Sequence, residues 1–439
     1  MAAFTSAALQ RTLQRYPLPH RYWVAFSGGR DSLALLHALS KLRPQLAPAT
    51  IHAIHVDHGL QAVSAAWAEH AVTLCKALQV ELTVRQVKVR PEPGEGVEAA
   101  ARRVRYAVFQ QVVEAGDCLL TAHHRDDQAE TLLLRLLRGS GVHGLQGMPE
   151  ERTLGAGRLL RPLLGFPRSA LDSYVREQGL EWVEDPSNAE LEADRNYLRH
   201  VVLPSMCKRW PATTQVLTAT AGRMSEAAEL LDELAQQDWQ VVRAGDRLVV
   251  EQLRRLTDAR QRNLLRYWIR RRGLLPPTHA RLASGLEALL TAGEDRQPIL
   301  EWGGGAVRRY RQHLYLTPPL SPPPKGEYRW DLCEELVVSG MGRLQAMLGV
   351  GGLRIDLQGK RLCVRFRRGG ERCRLAGEGH SRSLKKLLQA SALPPWQRER
   401  LPLLYLDDTL IAIGDCWICE GFQASPEKDG IHLRWDPEG

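Results

Sequence analysis

Residues 22–37 constrain this chain more than any other stretch. An apolar run, Trp23, Val24, Ala25 and Phe26, breaks into Ser27, Gly28, Gly29, Arg30, Asp31 and Ser32, and helical spacing resumes at Leu33, Leu36 and Leu39. The pattern predicts a buried strand, a tight loop and a helix. Two glycines remove the Cβ atoms that would hold the loop backbone away from a ligand. The amides at a helix start are unpaired and carry partial positive charge, so the turn suits a phosphate or pyrophosphate, with the Ser27 and Ser32 hydroxyls as extra donors. Asp31 would repel such an anion unless a divalent cation lay between them, which reads it as a Mg²⁺ ligand. A plain glycine turn would not need Ser, Asp and Ser in the same loop.

Further strands are expected at 51–56, 82–89 and 118–122, separated by helices at 64–78 and 97–114, the latter carrying Arg102, Arg103 and Arg105. This alternation implies an α/β fold: a parallel, Rossmann-like sheet with helices on both faces. Ligands of such sheets sit at the carboxyl ends of the strands, where Ser27, Asp57 and His123 fall. A short strand at 161–164 and a helix at 169–178 should complete a nucleotide domain over residues 1–204. Residues 205–316 read as mainly helical. Five prolines in the nine residues 317–325 make a stiff linker, taken as 317–330, and 331–439 read as a small α+β domain.

A second constellation, His123, His124, Arg125, Asp126, Asp127 and Gln128, opens the helix that continues through Glu130 and Leu133. Asp126 and Asp127 suit its N-cap and first turn; a metal-phosphohydrolase cluster is the alternative, but it leaves the first loop without a role. Gly139, Gly141 and Gly144 spell a dinucleotide fingerprint, yet they follow a helix instead of a strand, so they read as a C-cap and mobile loop. A charged loop from Glu184 and Asp185 to Asp194, Arg195 and Asn196 is a candidate lid.

The formal net charge is +9, and the excess lies outside the nucleotide domain: 18 Lys and Arg against 12 Asp and Glu over 205–316, and 10 against 2 over 360–386. A polyanionic partner fits this distribution. Arg262, Arg266 and Arg270 recur every fourth residue opposite the apolar face of Leu264, Leu265, Trp268 and Ile269. Arg365, Arg367, Lys385 and Lys386 lie in the charged centre of the last domain, with Trp396 available for stacking. No apolar run approaches the ~20 residues of a membrane span, and no signal core follows the N-terminus, so a cytoplasmic protein is expected. The eight cysteines do not suggest a disulfide framework. Cys416 and Cys419 are the one close pair, and a Zn²⁺ site would need Cys363 and Cys373 as well.

Ser-Gly-Gly-x-Asp-Ser resembles the PP-loop of enzymes that split ATP between its α and β phosphates, and lacks the lysine of the kinase P-loop. Together with 123–130, 139–148, 161–164 and 185–196, in this order, it makes the chain similar to the tRNA(Ile)-lysidine synthetase family over essentially its whole length. The resemblance implies a ligase that uses ATP and Mg²⁺ to join free L-lysine to the wobble cytidine of an isoleucine tRNA. It implies that the cytidine C2 oxygen attacks the α-phosphorus, pyrophosphate leaves, and lysine displaces AMP. It implies ATP on Ser27, Gly28, Gly29, Arg30, Asp31 and Ser32, and charge neutralisation by Arg103 and Arg195. Asp127 is the candidate for a lysine ammonium, and His123 for orienting or deprotonating the amine. Arg262, Arg266 and Arg270, with the C-terminal basic residues, are implied to bind tRNA. Gln61 and Glu190 depart from the family's Arg and Asp. A tRNA cytidine thiolase, which would need cysteines near the loop, and an RNA-binding protein with a vestigial nucleotide site remain alternatives; a homo-oligomer is left open.

Overall fold

The structure is a computed structural model that describes residues 3–59, 64–92, 94–184, 190–293, 296–375, 380–391 and 393–438. It forms two compact units, Met1–Leu231 and Asp232–Gly439. Gln61 and Asp185 lie outside the described residues.

The first unit is built on a six-stranded sheet of β1 (Arg21–Ala25), β2 (Thr50–Asp57), β3 (Glu81–Gln86), β4 (Cys118–Leu120), β5 (Glu151–Leu154) and β6 (Gly157–Leu160), ordered β3-β2-β1-β4-β6-β5. All neighbours run parallel except β5, which returns antiparallel to β6. The central strand β1 buries Tyr22, Trp23 and Val24, so it reads as a continuous apolar run and not an alternating one. One face packs on the helix Arg30–Lys41, whose Leu33, Leu35, Leu36 and Leu39 are fully buried. The other face meets Phe109 and Val113 at the end of the helix Val97–Val112. The order reverses direction beside β1, placing a crevice outside the carboxyl ends of β1, β2 and β4.

The expected strand at 161–164 lies earlier, at Gly157–Leu160. The Arg161 amide donates to the Glu150 carbonyl at 2.8 Å and ends the ladder, and Pro162 has no N–H with which to extend it.

Residues 205–316 are mainly helical, as expected, with short strands among the helices. In the second unit the helices Asp258–Arg271 and His279–Thr291 pack with a five-stranded antiparallel sheet that includes Ile299–Trp302, Gly305–Tyr310 and His313–Thr317. Its strands are short and joined by tight turns, one with Arg311 at φ +53°, a pattern that helical periodicity does not register. A separate apolar core, from Trp330 to Trp435, fills the C-terminal part, where five- and four-stranded antiparallel sheets carry the helix Leu384–Ala390. Among the described residues no helix is long and apolar enough to cross a membrane.

Candidate active site

The loop after β1 is held by its own serines. Ser27 and Ser32 hydroxyls are 3.0 Å apart, and the Ser32 hydroxyl donates to the Gly29 carbonyl at 2.8 Å. Gly28 sits at φ +79°, where a side chain would be strained. Gly29 caps the helix Arg30–Lys41 without any side-chain bond, leaving the first-turn amides open to an anion. Arg30 lines the cleft with its Nε 2.6 Å from Asp172.

Ser27, Gly29, Arg30 and Ser32 line a cleft of about 910 Å³, together with Asp57, His58, Arg105, Tyr106, His123, Asp127, Glu184 and Arg199. The loop residue Asp31 faces it with a carboxylate oxygen 3.5 Å from His124 Nε2. Burial pushes the Asp31 carboxyl up, and the bond and charge of His124 more than offset this, so it stays below its ordinary range.

The N-cap of the helix Arg125–Leu137 is His124, not Asp126 or Asp127. Its Nδ1 accepts from the Asp127 amide, while an Asp127 carboxylate oxygen accepts from the His124 amide at 3.0 Å, which closes a capping box. Asp126 instead accepts from the Arg168 amide at 2.9 Å. The other Asp127 oxygen takes Arg195 at 3.1 Å and Arg199 at 2.9 Å. The same two arginines bracket Glu130, at 2.8 Å from Arg195 Nε and 2.7 Å from Arg199 Nε. Desolvation of buried Asp127 opposes ionisation, but His124, Arg195, His123 and Arg199 together hold its carboxyl far below the usual range.

Asp127 lines the cleft, and beyond the ammonium role expected of it, its carboxylate positions two guanidiniums. His123 Nδ1 is 2.9 Å from the Thr121 hydroxyl, and burial, reinforced by Arg161, Arg195 and Arg102, lowers its pKa to about 3 against the opposing pull of Asp127. A neutral imidazole can orient an amine by accepting a hydrogen bond.

Two arginines also change places. Arg103, read as catalytic, is 43% exposed and bonds Glu95 at 2.8 and 3.1 Å, outside the cleft; the cleft residue on this helix is Arg105, which makes no ion pair among the described residues. Arg195 belongs to the carboxylate network, and Arg199, one turn on, reaches the cleft. Glu130, Arg199 and His124 were missed. Spacing gave a signal: Asp127 and Glu130 at i,i+3 and Arg195 and Arg199 at i,i+4 each share a helix face.

Gly139 follows the helix end at φ +70°, and the Ser140 amide bonds the Arg135 carbonyl at 3.0 Å, so this glycine run is a C-cap as expected. The loop beyond is tied down, not loose: Arg135 reaches the Gly144 and Gly147 carbonyls at 2.8 and 2.6 Å. Glu190 contributes its carbonyl to Asn196 at 2.9 Å, a bond that its change of side chain leaves intact.

The basic residues divide. Arg266 lies 2.8 Å from His279 and Arg270 is paired with Asp232, while Arg262 is half-buried beside them. Arg365 stacks 3.8 Å from the Tyr405 ring centroid and reaches Glu327; Arg367 lies 3.9 Å from Glu371. Lys385 and Lys386 are exposed. Trp396 meets Tyr315 edge-on at 5.3 Å and carries Arg308 at 5.6 Å, which engages it within the fold. Cys416 is exposed beside Asp415, Cys419 is buried against Cys373, and no three metal-binding side chains converge among the described residues. No cysteine is among the described residues that line the cleft.

Residues 5–206 match the family described as the PP-loop domain, 248–315 the TilS substrate binding domain, and 362–435 the TilS substrate C-terminal domain. The chain is 46% identical over 421 residues to a tRNA(Ile)-lysidine synthase of Alkalilimnicola ehrlichii, covering 95% of this chain and 94% of that one. It is 40% identical over 437 residues to that of Coxiella burnetii, covering 99% and 97%, and 42% identical over 425 residues to that of Methylococcus capsulatus, covering 95% and 96%. Near-complete coverage in both directions, with a PP-loop at the carboxyl ends of a parallel sheet, makes this chain a member of the tRNA(Ile)-lysidine synthase family.

Proposed function

We infer that this protein is an ATP-dependent ligase that joins L-lysine to the wobble cytidine of an isoleucine tRNA through an adenylated cytidine. The observation that carries this is the cleft itself, where the open helix start beneath Gly28 and Gly29 shares one cavity with Asp31, Arg105, His123 and Arg199. The loop amides and serine hydroxyls receive the β and γ phosphates as pyrophosphate departs. Arg105 and Arg199 neutralise charge that builds on the α-phosphate and on the cytidine oxygen. Asp127 and Glu130 act through Arg199, fixing its guanidinium from both sides. His123 accepts a hydrogen bond from the incoming amine.

Mg²⁺ suits Asp31, a cleft-facing carboxylate in the first turn, because this cation is commonly held by one or two carboxylates plus substrate phosphates. Bound there, it would offset polyphosphate charge.

The test supplies ATP, labelled lysine and an isoleucine tRNA with a wobble cytidine. Label should enter the RNA with release of AMP and pyrophosphate, and a tRNA with wobble uridine should stay unlabelled. Failure to transfer lysine from a folded protein that binds the tRNA would overturn the assignment.

A further inference from the structure

Beside the cleft, three arginines gather on one phenol, and a fourth lies on the same helix. Arg102 stands 4.9 Å and Arg152 4.6 Å from the Tyr106 ring centroid, and the Arg102 guanidinium reaches the Tyr106 hydroxyl at 3.4 Å. Arg161 acts on the same phenol electrostatically and anchors itself on the Pro149 carbonyl at 2.6 Å. Arg105 follows on the same helix as Arg102. Among the described residues none of these four makes an ion pair. The nearby acids are turned elsewhere: Glu151 to Arg158, Glu150 to Arg15, Glu95 to Arg103, while Glu98 acts on Arg105 only at longer range.

Such a cluster is costly without an anion. Guanidiniums that stack on one aromatic ring repel each other, and Arg161, only 4% exposed, keeps its buried Nε without a hydrogen-bond partner. Tyr106 and Arg105 line the cleft, whereas Arg102 and Arg152 are exposed. The cations therefore run from inside the cleft to the surface. A nucleotide triphosphate already has the loop amides. A polynucleotide whose one base enters the cleft leaves its next phosphates at the rim.

We propose that Arg102 and Arg152, held in place by Tyr106 and Arg161, bind backbone phosphates of the RNA strand next to the reacting nucleotide. This rests on the reading of the cleft as a tRNA-modifying site. Arg161 is a positioning residue, since its buried guanidinium orders Tyr106 and does not itself reach solvent.

The experiment compares the parent with Arg102→Gln/Arg152→Gln and with Arg102→Lys/Arg152→Lys, measuring tRNA affinity across a salt series and the KM values for tRNA and ATP. The glutamine pair should bind tRNA about tenfold more weakly and lower the salt slope by about 1.4, as two single-strand phosphate contacts require. The KM for ATP and the turnover at saturating tRNA should hold, and the lysine pair should recover most of the slope. Both positions are exposed, so thermal unfolding should not move. Unchanged affinity and slope would overturn the proposal, as would a rise in the KM for ATP alone, which would make the anion the nucleotide. Lysine transfer by the parent is scored separately: an active parent with an unaffected glutamine pair sinks this inference alone, and an inactive parent sinks the ligase reading whatever the affinities.

Discussion

Removing Glu130 should cost more stability than removing any surface charge of this chain. Its carboxylate is 1% exposed and accepts Arg195 Nε at 2.8 Å and Arg199 at 2.7 and 2.9 Å. Glu130→Ala leaves two guanidiniums to share Asp127. Breaking a buried ion pair from one side costs about 3–5 kcal/mol. Arg195 and Arg199 are 25% and 19% exposed and can recover some water, so the low end applies, about 3 kcal/mol. For a unit of this size that is a fall of about 6–12 °C in Tm. Glu130→Gln keeps the shape and an acceptor, and should lose about half as much. Differential scanning calorimetry measures both, and the double variant Glu130→Ala/Arg195→Ala should be less destabilised than the sum of its singles, because one stranded cation is gone. A Glu130→Ala protein melting within about 2 °C of the parent, or strictly additive singles, would refute the coupled network as a source of stability.

Four further outcomes are expected. Asp31→Asn should abolish tRNA adenylation while tRNA affinity stays within about twofold, read by pyrophosphate release and filter binding; adenylation at the parental rate would remove Asp31 from the metal site. Arg105→Gln should lower kcat/KM by about 10²–10³, whereas Arg103→Gln, which loses only a surface pair, should change activity and stability little; the reverse ranking would restore Arg103. His123 is ordinarily near 6.5 and about 3 in the fold, so between these values the unfolded chain binds a proton that the native one refuses, and stability falls by about 1.4 kcal/mol per pH unit as pH drops. His123→Gln should flatten urea-denaturation stability across that window, and parallel curves would contradict the burial effect. Lys385→Ala/Lys386→Ala should lower the salt slope of tRNA binding by about 1.4–1.8 without moving Tm, and an unchanged slope would make them a solvated surface.

What was legible in the sequence followed from short-range physics. The apolar run into Ser27–Gly28–Gly29 fixed strand, loop and helix because buried parallel strands read as continuous apolar segments and a positive φ requires glycine. The gathering of Ser27, Asp57 and His123 at the carboxyl ends of parallel strands followed from the alternation of strands and helices. The five-stranded antiparallel sheet of the second unit was not legible, since its two- to six-residue strands carry too few periods to outweigh helical spacing nearby.

The site was legible as residue types and less so as roles, and the arginines explain why. Motif order placed a cation on the helix Val97–Val112, but a helix turns 100° per residue, so a shift from Arg103 to Arg105 decides between solvent and cleft. Roles also depend on partners distant in sequence. Nothing around Asp127 in sequence marks it as a guanidinium anchor; Arg195 and Arg199, 68 and 72 residues later, make it one. His123 and His124 are adjacent and chemically identical, yet a carboxylate pair draws one toward protonation while desolvation and three arginines hold the other neutral. The residue most exposed to this kind of error is therefore an ionisable one beside a second of its own type, where sequence supplies the chemistry twice and the fold assigns it once.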